Sequence, residues 1–310
     1  MLRARAELLS VIRTFFAERG ALEVETPVLS RATVTDPQLA SLTTRFRGPG
    51  HPDGLDLYLQ TSPELAMKRL LAAGSGPIFQ ICKAFRDGES GHQHNPEFTI
   101  LEWYTPGVDH HGLMDEMELL LEATLQTGKC QRITYCRLFE NRFGLDPHDC
   151  SSAALERAAD DADVGSRPAI TDKDEWLALL MSHVLEPDLG TDAPLFVYDY
   201  PTSQAALARI RPGDPPVAER FEVYYHGAEL ANGFHELADA KEQRRRFEAE
   251  LDDRRHQGAA DAPIDERFLA ALEAGMPDCS GVALGVDRLL MVLLGAEEID
   301  NVLAFPLARA

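Results

Sequence analysis

Three stretches of this sequence hold residues whose types and spacing can do chemistry. In the first, Phe85-Arg86 closes an apolar run, a polar loop carries His92-Gln93-His94-Asn95, and a second apolar run spans Phe98 to Tyr104. An arginine leaving a strand can offer its planar fork to an anion such as phosphate, or make an ordinary surface ion pair. The histidines at i, i+2 have no third ligand nearby, so no metal is expected there. The second stretch is Gly281-Val-Ala-Leu-Gly285-Val-Asp287-Arg288, running into Leu289 to Leu294. Arg288 would sit in the first turn of a helix that is apolar on nearly every side, and a buried arginine needs a counter-charge. Asp287 beside it qualifies, and so does a bound polyphosphate, which Gly281 and Gly285 would allow close to the backbone. The third stretch, Phe221 to Glu236, places Glu222, Glu229 and Glu236 among residues that otherwise read as buried strand. Buried carboxylates are costly unless they meet cations, and a divalent metal and an ammonium group would both serve. Acid and base hydrolysis of glycosides uses the same groups. On an ideal strand Glu229 and Glu236 face opposite sides, so bringing them together requires an irregularity, expected near Gly233.

The elements that must position these groups follow from periodicity. Leu8, Leu9, Ile12, Phe15 and Phe16 predict a helix from Leu2 to Gly20, after which Val24 to Pro27 is extended. Gly48 to Gly54 reads as a turn-rich loop, Leu55 to Gln60 as a strand, and Pro63 to Ala73 as a helix with Ser62 at its mouth. Ile78 to Phe85 and Phe98 to Tyr104 form a long hairpin, followed by a helix over Gly112 to Leu125. The Ala- and Asp-rich stretch at about 146–192 reads as a peripheral insertion with two short helices. Strands are expected at Leu195 to Tyr200, Phe221 to Tyr225 and Ala228 to Phe234, then a charged helix from Ala240 to Arg255. Gly281 to Leu284, Val286 to Leu294 and Val302 to Phe305 read as strand, helix and strand. The fold class is α+β, an antiparallel sheet flanked by helices, in a single domain over 1–310.

Composition bounds the function. At 310 residues and 45% hydrophobic content the chain can bury a sizeable core. A formal net charge of -21 opposes non-specific binding to nucleic acid. The five cysteines show no CxxC spacing, which points to free thiols. No apolar run approaches the roughly 18–20 residues of a membrane span, and the opening residues lack a signal peptide's apolar run, so the expected location is cytoplasmic. There is neither a GxxxxGK[ST] loop nor a GxGxxG fingerprint, so any nucleotide would be held by a sheet and arginines.

Together the three stretches resemble, in order, the signature motifs of class II aminoacyl-tRNA synthetases: Glu25-Thr26-Pro27 after the first helix is similar to motif 1, Phe85-Arg86 with its return strand to motif 2, and Gly285-Val-Asp287-Arg288 to motif 3. His94-Asn95-Pro96-Glu97-Phe98-Thr-Ile-Leu-Glu102 and Glu229-Leu-Ala-Asn232-Gly-Phe-His-Glu236 resemble the lysyl branch. Motif 1 begins at the first residues, with no N-terminal anticodon-binding OB domain before it, and this with Ser62-Pro-Glu64-Leu-Ala-Met-Lys68 is similar to the ligases that attach (R)-β-lysine to elongation factor P.

The resemblance implies ATP and Mg2+ as cofactors, lysine or (R)-β-lysine as substrate, elongation factor P as acceptor in place of tRNA, a homodimer and no membrane; the alternative is a stand-alone lysine-activating or tRNA-charging enzyme similar to lysyl-tRNA synthetase. It also implies residue roles. Arg86 would hold the α-phosphate and substrate carboxylate and Arg288 the γ-phosphate, while Phe98 stacks on adenine in a nucleotide loop with His94 and Asn95. Asp87, Gly88, Leu230 and Gly285 would complete the ATP contacts, and Glu222 and Glu229 would hold magnesium. Glu236 and Tyr104 would take the ε-ammonium, Ser62 and Glu64 would rim the other amine, and Asn232 and Ala283 would complete the substrate contacts. The sequence departs from the family at Gly88, where motif 2 ordinarily has a glutamate; Glu89 comes next, and either it takes over the adenine contact through a shifted loop or backbone does. It departs again at Ala283, where lysyl enzymes tend to have glycine. The added methyl favours an amine moved one carbon along, hence β-lysine over α-lysine, by about 1–3 kcal/mol.

Overall fold

Leu8, Ile12, Phe15 and Phe16 recur at helical spacing, and in the computed structural model they are the buried face of α1 (Leu2–Glu18). Phe16 stacks on Phe79 at 4.6 Å between ring centroids and meets Trp103 at 5.2 Å, which seats the helix on the strands that follow. The structure describes residues 1–165, 170–260 and 262–310. Two compact units divide the chain: residues 1–107, 238–279 and 283–310 form the first, and residues 108–237 with 280–282 form the second.

The first unit begins with α1, β1 (Leu22–Glu23), β2 (Leu29–Ser30), β3 (Thr43–Gly48), β4 (His51–Leu59), α2 (Glu64–Ala72), β5 (Ile78–Phe85) and β6 (Glu97–Pro106). β5 and β6 form the expected long antiparallel hairpin, and β1 joins the other edge of β5 in parallel. The stretch Gly48 to Gly54, expected as a loop, is instead the tip of a hairpin: β3 and β4 pair across it, and β2 completes a small antiparallel sheet. Gly50, at φ 82°, supplies the left-handed turn that lets the strands run so close to the tip.

The second unit contains α3 (His110–Leu125), β7 (Gln131–Thr134), α4 (Tyr135–Phe143), α5 (Ser152–Asp161), α6 (Lys173–Leu180), β8 (Leu195–Pro201), β9 (Ile210–Arg211), β10 (Val217–Tyr225) and β11 (Ala228–His235). Its strands run in the order β11-β10-β8-β7, with β9 pairing β10. β10 is antiparallel to both β11 and β8, while β7 and β8 are parallel. The short helices of the stretch 146–192 put Leu155, Ala159, Trp176, Leu177 and Leu180 into an apolar core with Phe139 and Val197.

The chain then returns to the first unit with α7 (Ala240–His256), α8 (Glu266–Gly275) and α9 (Val286–Leu294); of β12 (Cys279–Gly285), residues 280–282 belong to the second unit and the rest to the first. The fold class is α+β as expected, with the refinement that the β1–β5 and β7–β8 pairs are parallel. No strand forms at Val302 to Phe305. A 3-10 turn at Ile299–Asn301 precedes it, the Val302 carbonyl accepts from Arg5 at 2.9 Å instead of from a ladder, and Pro306 has no N–H to give. Among the described residues no helix is long and apolar enough to cross a membrane.

Candidate active site

The hairpin register decides which groups share a face in the first unit. Ala84 pairs with Phe98, Cys82 with Ile100, Gln80 with Glu102 and Ile78 with Tyr104. Side chains two apart on a strand point the same way, so Phe98, Glu102 and Tyr104 line one side of β6. Arg86, one step beyond β5, places its guanidinium 5.0 Å from the centre of the Phe98 ring and 3.4 Å from a Glu89 carboxylate oxygen. Its buried Nε has no hydrogen-bond partner among the described residues. Gly88 has φ 79°, a left-handed turn that a glutamate side chain would strain, and Glu89 faces Arg86. The departure from the family pattern at Gly88 thus has a backbone reason.

The loop histidine and the last helix meet next. Arg288 Nη2 lies 2.7 Å from His94 Nε2, and Arg288 Nε donates to the Gln93 carbonyl at 3.3 Å. Partial burial, and then the Arg288 guanidinium, hold His94 below its ordinary pKa, so the ring is neutral and accepts from the arginine. Asp287 does not pair with Arg288. Its carboxylate binds Arg5 and accepts from the Thr99 N–H at 2.6 Å, tying α9 to α1 and β6. Of the two partners open for Arg288 in the sequence, the aspartate is therefore spent elsewhere. Asn95 uses its amide on the Glu97 carbonyl and the Leu307 N–H, which fixes the loop. Asp87 is exposed, with its N–H on the Ala40 carbonyl. Gly285 is the N-cap of α9, and the atoms nearest a Cβ there are those of the Arg288 side chain, at 3.8 Å.

Glu102 is the residue that sequence reasoning passed over. It is 1% exposed, accepts from Ser62 Oγ at 2.5 Å and from the Tyr104 hydroxyl at 3.2 Å, and shares this corner with Glu64, whose carboxylate binds the buried Lys68 at 2.6 Å. Burial, then the charge of Glu64, push Glu102 up to about 8 against the opposing Ser62, Tyr104 and Lys68. Glu102 is therefore mainly protonated at neutral pH, and a ligand ammonium beside it would favour its ionised form. The signal was in the spacing, since Glu102 is two residues before Tyr104 on a strand.

Glu250 on α7 is half-buried, bonded to Thr35 and pushed up to about 7 by partial burial and by Asp36. Both groups bind a proton more tightly in the folded chain than at the ordinary value of 4.5. Their contribution to stability is therefore complete below about pH 4.5 and is lost as pH rises through about 7 and 8. The expected result is a thermal midpoint that falls between about pH 5 and about pH 8, with a shallower fall in Glu250→Gln. A flat profile in the unmodified chain would contradict this.

In the second unit the three carboxylates are arranged by a bulge. Val223 pairs with Ala231 but Tyr224 pairs with Glu229, so Leu230 is an extra residue on β11. The irregularity was expected near Gly233 and lies instead at Leu230. It puts Glu229, opposite Tyr224, on the same face as Asn232, opposite Glu222, and Phe234, opposite Arg220. The bridge of Glu236 to Ala208 carries that alternation one step past β11. Gly233 instead makes room for a ring, since a Cβ there would lie 2.4 Å from the Phe221 side chain. Leu230 itself is buried.

Arg220, also missed from sequence, sits two residues before Glu222 and binds its Oε1, while Tyr200 donates to Oε2 at 2.6 Å and Tyr224 to the same oxygen. The guanidinium lies 4.7 Å from the Tyr200 ring and also feels the charge of Glu229. Burial, and then Glu222, hold both tyrosines well above their ordinary pKa, so they stay donors. Glu222 and Glu229 thus bring two carboxylates to one face of the strand pair, beside the two hydroxyls. That oxygen-rich donor set fits a hard divalent cation such as Mg2+. Ala283, half-buried on β12, is in the first unit.

An antiparallel-dominated sheet with two arginines on motif-like turns defines a class, and the comparison with known families agrees: the chain belongs to the class II tRNA synthetases of the D, K and N group, whose family model matches residues 1–309. Within that class it is similar to proteins named elongation factor P--(R)-beta-lysine ligase. It is 54% identical to the one from Vibrio cholerae, over 100% of this chain and 96% of the relative. Similarity to the one from Klebsiella pneumoniae is 52%, over 99% and 94%, and to that of Vibrio parahaemolyticus 54%, over 98% and 95%.

Proposed function

We propose that the chain is an ATP-dependent, AMP-forming ligase that activates (R)-β-lysine or lysine and transfers it to a lysine ε-amino group of elongation factor P. The observation that carries this reading is similarity above half identity along nearly the whole chain to ligases of that name. The substrate carboxylate attacks the α-phosphorus of ATP, the bond to the β-phosphate oxygen breaks, and pyrophosphate leaves. The acceptor amine then attacks the carbonyl carbon of the adenylate, loses a proton, and releases AMP.

Arg86 holds the α-phosphate and carboxylate and stabilises charge as it develops. Phe98 stacks on adenine, and Arg288, backed by neutral His94, takes the γ-phosphate. Asp87, Gly88 and Gly285 offer backbone to the nucleotide, and Asn95 holds that loop. Ser62, Glu64, Glu102 and Tyr104 form an ammonium-binding set, supported by the buried carboxyl of Glu102. In the second unit Asn232 and Glu236 serve an ammonium, and Leu230 supplies the bulge that sets Glu229. Glu222 and Glu229 would hold Mg2+, which when bound neutralises phosphate charge. The exposed Leu2, Val11, Leu22, Val28 and Leu29, around the motif 1 segment, support a homodimer. The net charge of -21 supports a protein acceptor over tRNA, and the reaction belongs in the cytoplasm.

Intact-mass analysis of elongation factor P after incubation with the enzyme, ATP, Mg2+ and either isomer tests the whole. A gain of one lysyl group is expected, and no gain with either isomer sinks the reading. Because an ammonium needs Glu102 ionised, substrate binding should release protons below about pH 8 and tighten as pH rises towards it. For Ala283→Gly, the ratio of α-lysine to β-lysine use in kcat/KM is expected to rise by roughly 10-fold or more. An unchanged ratio would mean that the methyl does not discriminate.

A further inference from the structure

His110, Glu219 and His235 lie apart in sequence and carry none of the roles above, yet one ligand atom from each falls within 4.8 Å of the others and all three residues are buried. His110 opens α3, Glu219 is in β10 and His235 ends β11. A bulge makes the arrangement: Ala218 pairs with Tyr200 and Phe221 with Tyr198, so Glu219 and Arg220 both stand opposite Asp199 on β8. Two residues against one re-aim successive side chains, and Glu219 meets His235 Nδ1 at 2.7 Å while Arg220 goes to Glu222.

Asp199 Oδ1 lies 3.2 Å from His110 Nε2. With Nε2–H given to that carboxylate, the lone pair of His110 is on Nδ1, which is buried and has no hydrogen-bond partner among the described residues. An imidazole oriented by a carboxylate on one nitrogen, with its other nitrogen open, is the usual support of a metal-ligating histidine. Arg211 binds the outer oxygens, Oδ2 of Asp199 at 2.6 Å and Oε1 of Glu219 at 3.5 Å. The inner oxygens, Oδ1 and Oε2, are those facing the histidines.

We propose that His110, His235 and Glu219 form a site for a divalent transition-metal ion of the zinc type, with Asp199 as the orienting carboxylate of His110. Two imidazoles and one carboxylate select such an ion over Mg2+, and three protein ligands leave a fourth position for water. A bound ion would tie the start of α3 to β10 and β11.

The test is titration of the full chain, first stripped with a chelator, with Co2+ and Zn2+ in excess Mg2+. One Co2+ per chain is expected, with visible absorption bands of four- or five-coordinate geometry that Zn2+ abolishes, and Zn2+ should raise the thermal midpoint. His110→Gln should remove the bands, and Asp199→Asn should weaken affinity by about 10–100-fold. Arg211→Ala and Glu229→Gln should retain the bands, which separates this site from the carboxylates assigned to Mg2+. Absence of stoichiometric Co2+ binding by the unmodified chain overturns the proposal without reference to any variant. So does binding that a folded His110→Gln protein retains, and in either case the cluster is an ion-free hydrogen-bonded network.

Discussion

Replacing Arg86 with alanine is expected to lower lysine-dependent ATP–pyrophosphate exchange by about 10²–10³-fold, the loss typical of removing one donor aimed at developing charge. The geometry allows so large a kinetic effect with a small structural one. The side chain is half-buried, its ion pair to Glu89 is long at 3.4 Å, and it lies 5.0 Å from the Phe98 ring. The thermal midpoint should therefore move little, since exposed or loose pairs contribute only about 0–1 kcal/mol. Arg86→Lys should recover a minor part of the rate, because an ammonium restores charge but not the planar fork that can engage two oxygens at once. Glu89→Ala should cost far less than either. Exchange that survives Arg86→Ala at full rate would remove this arginine from the reaction and with it the motif 2 assignment.

The second large effect is expected in stability. Arg220→Ala should destabilise the chain by about 3–5 kcal/mol, because it strands the buried Glu222 carboxylate without its cation. Tyr200 and Tyr224 still donate to Glu222, but hydroxyl dipoles do not replace a full charge in a dry setting. Urea unfolding measures the loss. The double variant Arg220→Leu with Glu222→Gln should recover much of it, as removing both members of a buried pair costs less than removing one. Additive losses in that cycle would show that the arginine acts through packing against Tyr200 and Phe234 rather than through charge.

These residues also show where sequence reasoning reached and where it stopped. The apolar run from Phe98 to Tyr104 announced a strand, and counting by two from Tyr104 would have led to Glu102. It was passed over because spacing gives the face but not the burial that raises its pKa. Arg288 offered two partners in sequence. Only packing shows that Asp287 belongs to Arg5 and Thr99 instead.

The α+β class, the β5–β6 hairpin and the helix at Val286–Leu294 were legible from the residues alone. These rest on local periodicity and on a nearly complete set of family motifs. Local pattern failed at residues 48–54 and 302–305, where a single left-handed glycine and a side chain from α1 settle the backbone. The tertiary structure decided the rest: the bulge at Leu230 that brings Glu229 into phase with Asn232, the bulge opposite Asp199, and the pairing of Arg220 with Glu222. The physical reason is that a bulge is a property of two strands in register. Neither strand carries it alone, so which carboxylates share a face is fixed only when the partners meet.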